Sequence, residues 1–181
     1  MKTQISLILF ILLISPIGCT KDEDGDTNDF NSDSFYPMSI GNYWKMNDEN
    51  FTKIVDTLRI QGNLFYKFYS LIGGDMTGTE YFRIDDENNL IGGSISNPEH
   101  KSTHAKFNSS VEDTFYLLND ILLSPYRIVM TFKNDDTIKF EWETINHPNL
   151  HSKFTKTYKR GFGLVGNWKE VCINNKVITI E

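Results

Sequence analysis

Apolar and polar residues alternate strictly through much of the second half of the chain. Tyr126, Ile128, Met130 and Phe132 fall on one side of an extended segment, with Arg127, Thr131 and Lys133 on the other and Val129 as the exception. A polar turn at Asn134-Asp135-Asp136 follows, after which Ile138, Phe140 and Trp142 alternate with Lys139, Glu141 and Glu143. Successive side chains of a strand point to opposite faces, so two such runs joined by a short acidic turn predict an antiparallel hairpin with one buried face. The C-terminus repeats the device, with 169–173 and 176–180 flanking Asn174-Asn175. Asn tolerates the positive φ of a two-residue type I′ turn. That turn pairs Ile173 with Lys176, Cys172 with Val177 and Val171 with Ile178. Val171, Ile173, Ile178 and Ile180 then share one face, and Cys172, Val177 and Trp168 the other.

Weaker hairpin signals recur upstream. Leu58-Arg59-Ile60 and the run from Leu64 to Tyr69 flank Gln61-Gly62-Asn63, while the run from Thr79 to Ile84 and Leu90-Ile91 flank an acidic turn at 85–89. The register of that second pair is open, because its second arm is apolar on both faces. Gly73-Gly74 and Gly92-Gly93 predict bends or bulges. The polar stretch 96–110 reads as a long loop with a strand near Ala105-Phe107. Residues 113–123 are the one candidate for a short helix, although Asp113-Thr114-Phe115-Tyr116-Leu117 also reads as a strand. The expected fold is all-β: a single antiparallel meander of about seven to ten strands, strongly curled or barrel-like so that its edges are hidden, with at most one short helix.

The beginning of the chain is of another kind. Lys2 is followed by an apolar run from Ile5 to Ile14. About ten residues of helix span ~15 Å, half of a hydrocarbon core of ~30 Å, so the run is too short to cross a membrane and reads as a secretory leader. Ser15-Pro16-Ile17-Gly18-Cys19 then places a small residue directly before a cysteine, which resembles the lipobox of bacterial lipoproteins. The resemblance implies removal of residues 1–18 and acylation of Cys19, a palmitate-type anchor rather than a span. Residues 20–34 carry six acids and one lysine, too little apolar surface to fold, and read as a disordered acidic tether continuing from Cys19. Within it Lys21-Asp22-Glu23-Asp24, close behind the cysteine, resembles the export signal of Bacteroidota-type lipoproteins carried to the outer face of the outer membrane. A periplasm-facing lipoprotein is the alternative. Asp22, Asp24 and Asp26 alternate as a calcium loop begins, but the glycine is misplaced and no glutamate closes the loop. One domain, 35–181, remains.

Two further segments carry a resemblance. Phe35-Tyr36-Pro37-Met38-Ser39-Ile40-Gly41-Asn42-Tyr43-Trp44 resembles the opening, and Tyr158-Lys159-Arg160-Gly161-Phe162-Gly163-Leu164-Val165 the closing segment, of small Bacteroidota-type surface lipoproteins of unassigned function. The resemblance implies a secreted β-rich domain and carries no catalytic residues. In physical terms the motifs fit core and closure: Pro37 starting a strand, Gly41-Asn42 turning the chain into the sheet, Gly161 and Gly163 allowing close backbone approach.

Charge and composition narrow the function further. With 18 Lys+Arg against 24 Asp+Glu the chain is acidic, and it lacks the clustered basic residues a nucleic-acid binder needs. Two cysteines exclude a disulfide framework. There is no G-x-S-x-G elbow, and Cys172 lies in an expected strand with no basic neighbour to activate it. The histidines form two pairs of zinc-like spacing, His100/His104 and His147/His151, with Glu99 as a further partner. Pro98 and Pro148 disfavour the helices that would make either pair a ligand set, and solvated loops account for them more simply. Glu141 and Glu143 share a strand face and are candidate paired carboxylates for glycan hydrolysis, though Lys139 beside them points to a solvated charge ladder. Thr57 and Thr137 lie in short sequences resembling Bacteroidota-type O-glycosylation sites. Tyr66, Phe68, Tyr69, Tyr81, Phe82, Trp142 and Trp168 exceed what one face can bury, and outward aromatics can stack on sugars or line a cavity. The expectation is a non-enzymatic binding or structural module without cofactor, lipid-anchored in the membrane, with a glycan or envelope protein as partner. The alternatives are a lipocalin-like carrier of a lipid or small hydrophobe and, third, a carboxylate-dependent glycan hydrolase.

Overall fold

The computed structural model describes residues 33–147 and 150–180. The leader, Cys19 and the export signal Lys21-Asp22-Glu23-Asp24 lie outside the described residues. Thirteen strands form two antiparallel sheets, and no helix occurs among the described residues.

The larger sheet holds β1 (Tyr43–Asn47), β2 (Asn50–Ile60), β3 (Asn63–Ile72), β4 (Met76–Ile84), β5 (Asn89–Gly93) and β6 (Lys101–Lys106) as a meander. The final hairpin, β12 (Glu170–Ile173) and β13 (Lys176–Thr179), returns to lie beside β1. The smaller sheet runs in chain order through β7 (Thr114–Tyr116), β8 (Tyr126–Lys133), β9 (Thr137–Thr144), β10 (Lys153–Lys159) and β11 (Gly163–Leu164). Neither sheet closes on itself, so two open sheets stand where one strongly curled, barrel-like meander of fewer strands was expected.

Both strong hairpins form. Ile128, Met130, Ile138, Phe140 and Trp142 are buried together. The C-terminal hairpin has the expected register, and its two asparagines adopt φ of 50° and 64°. Two details differ. A bulge between Met130 and Phe132 shifts the ladder and leaves Phe132 41% exposed. Ile178 and Ile180 stay exposed because β13 is the edge of its sheet, although Val171 and Ile173 across the ladder are buried. Residues 113–123 form strand β7 and turns, not a helix, and the polar stretch 96–110 contains a full strand, β6. Gly92-Gly93 are regular strand residues rather than a bend, whereas Gly73 and Gly74, both at positive φ, make the β3–β4 turn.

Aromatic rings fill the space between the sheets. Phe107 packs against Tyr158 (centroids 5.2 Å apart) and Phe140 against Phe115 (5.8 Å). The segment before β1 is not a strand but a plug, with Tyr36 stacked on Trp44 and Phe68. Gly41 at φ 96° then turns the chain, and buried Asn42 donates to the Pro37 carbonyl and accepts from the Asn174 amide. The opening and closing motifs meet: Trp44 donates to the Phe162 carbonyl, and a Cβ on Gly163 would stand 2.9 Å from the Trp44 ring. Both motifs therefore serve closure of the fold.

Candidate functional site

Each sheet carries a charged residue on its inner face beside His104 and Phe82. Along β4 the alternation that turns Phe82 and Ile84 inward also places Glu80 on that face, opposite Phe68 on β3. Along β10, Phe154, Lys156 and Tyr158 stand opposite Trp142, Phe140 and Ile138, the buried face of β9. Lys156 Nζ lies 3.7 Å from the centroid of the Trp142 ring, a close cation–π contact. Among the described residues no carboxylate comes within 4.0 Å of it. Burial holds the Lys156 pKa below the usual lysine value, with the charge of Glu80 acting in the opposite sense.

His104 completes the group. It is the extra residue of the bulge between β5 and β6, where Leu90 faces Ala105 and Ile91 faces Thr103. Its ring stands edge-on to Phe82 at 4.9 Å and tilted against Trp142 at 5.9 Å. Nε2 and Ser102 Oγ are hydrogen-bonded at 2.9 Å. Burial, and secondarily the Lys156 charge, pushes the imidazole pKa down to about 3, so it is neutral at physiological pH. The pair requires Gly92: a Cβ there would stand 2.4 Å from Ser102 Oγ and 2.9 Å from His104 Nε2.

Glu80, Phe82, Ser102 and His104 line an open hollow, whereas Lys156 and Trp142 lie outside its lining. β5 ends at Gly93 opposite Tyr81, while β4 continues away from it to Met76. The space left is about 480 Å³, lined by Glu80, Phe82, Gly92, Ser94, Ser102 and His104 among others. A smaller hollow of about 110 Å³, walled by Tyr36, Trp44, Phe68, Leu164 and Trp168, shares Glu80 and Phe82 with it. Together they form a groove with hydroxyls at one end and aromatic rings at the other. The buried Trp142 indole N–H, next to His104 and Lys156, meets no hydrogen-bond acceptor among the described residues.

Chemically the groove is equipped to bind. Ser102 and His104 are within reach of each other as a nucleophile and base would be, but no carboxylate among the described residues is hydrogen-bonded to the other ring nitrogen. An imidazole with a pKa near 3 is a weak general base at neutral pH. What remains in the groove is an acceptor (Glu80) and two groups able both to donate and to accept (Ser102 and His104).

The residues singled out from sequence are dispersed. Of the four histidines only His104 enters the groove; His100, His147 and His151 are exposed, and no cluster of three metal-ligating side chains occurs among the described residues. Glu99 contacts Gln61. Glu141 and Glu143 lie on the outer face of the smaller sheet, bound to Lys153 (Glu141 at 2.8 Å) and to Arg127 (Glu143). Cys172 is a free, buried thiol. Thr57 lies within β2 opposite Tyr66, and Thr137 opens β9, its amide donating to Asn134. Tyr66, Phe68, Phe82 and Trp142 are buried, while Tyr69 and Tyr81 are half-buried on the outer face and Trp168, also half-buried, donates to the Leu164 carbonyl. Sequence reasoning missed Glu80, Ser102 and Lys156. The usable signal was a charge in phase with an apolar face, in Glu80-x-Phe82-x-Ile84 and Phe154-x-Lys156-x-Tyr158.

Comparison with known protein families, with characterised proteins and with solved structures returns no match.

Proposed function

We propose that this chain is a lipid-anchored cell-envelope protein that acts by binding, and that the groove between its sheets is the binding site. Cys19 carries the acyl anchor, Lys21-Asp22-Glu23-Asp24 directs the protein to the outer face of the outer membrane, and the acidic tether holds the domain away from the bilayer. The likeness to small Bacteroidota-type surface lipoproteins supports this address. The observation that carries the binding role is an open hollow of about 480 Å³ in which Glu80, Ser102 and His104 stand beside the Phe82 ring, with Lys156 half-buried on the facing sheet over the Trp142 ring and without an ion-pair contact. A charge kept on a face that packing alone would make apolar costs stability, and such sites are where function is expected.

Labelling with a fatty-acid analogue tests the anchor: the label enters the wild-type protein and is absent from Cys19→Ala. Proteolysis of intact cells tests the address, since protection of the domain there argues for the periplasmic face. A panel of glycans, lipids and envelope proteins probed with wild type and Glu80→Gln, the carboxylate shared by both hollows, tests the binding role. Signals that persist unchanged in the variant would remove the groove from the account.

A carrier of a lipid or small hydrophobe is the second reading, favoured by the apolar walls of the smaller hollow. A drug-sized ligand takes roughly 300–1,000 Å³, so that hollow of about 110 Å³ would have to widen into the larger one. A hydrolase resting on Glu141 and Glu143 is third, and the ion pairs that occupy both carboxylates speak against it.

A further inference from the structure

We infer that the loop between β7 and β8 inserts Ile121, Leu122 and Leu123 into a lipid bilayer facing the one that carries the anchor, so that the domain bridges two lipid surfaces. This rests on the reading of the chain as lipid-anchored and goes beyond it, since it gives the far end of the domain a partner.

The loop exposes three aliphatic side chains in a row, Ile121 at 51%, Leu122 at 82% and Leu123 at 71%. Single exposed apolar residues are ordinary, but a contiguous cluster marks an interaction surface. Leu150, exposed on the β9–β10 connection, adds a fourth at the same end of the smaller sheet. The loop is built rather than slack. Ser124 is fully buried, accepts from the Leu118 amide and donates to the Tyr126 carbonyl. The Leu122 amide donates to Asp120 Oδ1 at 2.9 Å, and the Asn146 side-chain amide donates to the Ile121 and Ser124 carbonyls at 2.8 and 3.0 Å. These bonds fix the backbone and leave the three side chains outside it, so their exposure serves nothing inside the fold.

Chemistry and position choose the occupant. The knob is purely aliphatic and projects from the domain. Protein partners are held mainly by Trp, Tyr and Arg in shaped pockets, whereas hydrocarbon moulds itself to any aliphatic projection, and insertion by ~5–10 Å buries all three side chains. Beside Leu123 opens a hollow of about 380 Å³ among Glu99, His100, Lys101 and Asp120. Groups of both signs at the depth of the headgroups match a zwitterionic lipid better than an anionic one.

Position then says which bilayer. The described chain begins at Asp33, whose carbonyl accepts from Arg160 at 2.7 Å, and the Ser34 carbonyl accepts from the Gly161 amide, both at the end of the smaller sheet where β10 stops. The knob lies at the other end, where β8 begins and β9 stops, one eight-residue strand or ~27 Å away. A domain tethered through its first residues presents the knob away from its own membrane.

The test reconstitutes the acylated full chain into vesicles of phosphatidylcholine and phosphatidylethanolamine, then adds protein-free vesicles of the same lipids. Wild type should cluster the two populations, read as turbidity, and both Leu122→Asp and the triple variant Ile121→Ser/Leu122→Ser/Leu123→Ser should abolish the clustering. Unchanged thermal unfolding of Leu122→Asp, a change at an 82% exposed side chain, separates this loss from misfolding. Depth is read with Leu122→Trp and brominated phosphatidylcholine in the added vesicles only. The introduced indole should be quenched well beyond any loss in wild type, whose Trp44, Trp142 and Trp168 report the background. Quenching only when the brominated lipid is in the anchoring vesicles would mean that the knob folds back onto its own bilayer, and the bridge falls. Clustering that needs the knob but brings no quenching would give the knob to a second copy of the chain, and the lipid assignment falls. No clustering and no quenching by a chain that floats with its own vesicles overturns the inference and leaves the anchor standing; a chain that does not float with them overturns anchor and bridge together.

Discussion

Lys153 and Lys156 lie on one strand, point to opposite faces, and live in opposite conditions. Lys153 faces outward, donates to Glu141 at 2.8 Å and has Glu143 at 4.0 Å. Its hydrogen bond to Glu141 holds its pKa above the usual lysine value. Lys156 faces inward, lies over the Trp142 ring, and is held below that value by burial. On the outer face of the smaller sheet Arg127 and Lys153 are paired with Glu141 and Glu143, and Lys139 lies over the Phe132 ring. On the inner faces Glu80 stands exposed at the groove and Lys156 half-buried on the facing sheet, with no ion-pair contact between them. Pairing explains the first arrangement as solubility. Half-buried Lys156 is a cost that the fold itself does not require, and it acts on His104, which lines the groove; the groove and not the carboxylate pair on β9 is therefore the candidate site.

The contrast also runs along the interior. Away from the groove the sheets close on rings: Phe140 is fully buried against Phe107, Phe115 and Tyr158. Phe140→Ala should therefore have the largest effect, about 3–5 kcal/mol of lost stability in urea unfolding. A small loss would mean that the closed half is as loosely filled as the groove, and the comparison would fail. Next comes pH. The pKa of His104 is about 3 in the fold and 6.5 when unexposed to it, so between those values the unfolded chain binds the additional proton. Stability falls as pH drops through that window and is restored above it, by on the order of 2–4 kcal/mol for this group. Denaturant titrations at pH 7 and pH 4 should show a smaller difference in His104→Gln than in wild type. Lys156→Met should also shrink it, because the neighbouring positive charge is part of the cause.

Lys156→Met itself should stabilise the protein by about 1 kcal/mol at neutral pH, since it replaces a half-buried charge without an ion-pair contact by an apolar side chain of similar length. Unfolding midpoints of the pure variant decide this. A loss of stability would mean that the ammonium is better compensated by the Trp142 ring and Glu80 than their geometry indicates.

What the sequence disclosed follows the range of the forces involved. Hairpins β8–β9 and β12–β13 were legible because alternation and turn chemistry are local; even the pairing of Val171 with Ile178 could be written down from Asn174-Asn175. Strand β6 was hidden because its first half, Lys101 to Thr103, is polar and its inward side chains, Ser102 and His104, face the groove instead of the core. The bulge that exposes Phe132 leaves no mark in the alternation. The division into two sheets was not legible, since a run of hairpins looks the same whether it curls once or breaks into two layers. The groove was missed for a related reason: Glu80 comes from β4 and Ser102 and His104 from β6, and each alone reads as one polar residue in a strand. Trp44 against Gly163 marks the other limit, a long-range contact between two segments whose local roles were correctly read as closure.

The smallest effect belongs to the outer ladder, and it is the sharpest check on the opening contrast. Glu141 and Lys153 are both substantially exposed, so their attraction is screened by water and salt and offset by the entropy of holding two long side chains. Glu141→Gln should leave the melting temperature within about 2 °C of wild type, and raising the salt concentration should erase even that difference. The same neutralisation on the inner face, Glu80→Gln, leaves Lys156 without its one opposing charge, and the lysine should then titrate at still lower pH. Proton NMR of lysines labelled at the ε-carbon can follow both positions in one sample. A shift at Lys156 with Glu80→Gln, against none there with Glu141→Gln, would show that the two faces of β10 are electrostatically separate. Equal responses at Lys156 would mean that the groove is no more shielded from solvent than the ladder, and the case for a special pair would dissolve.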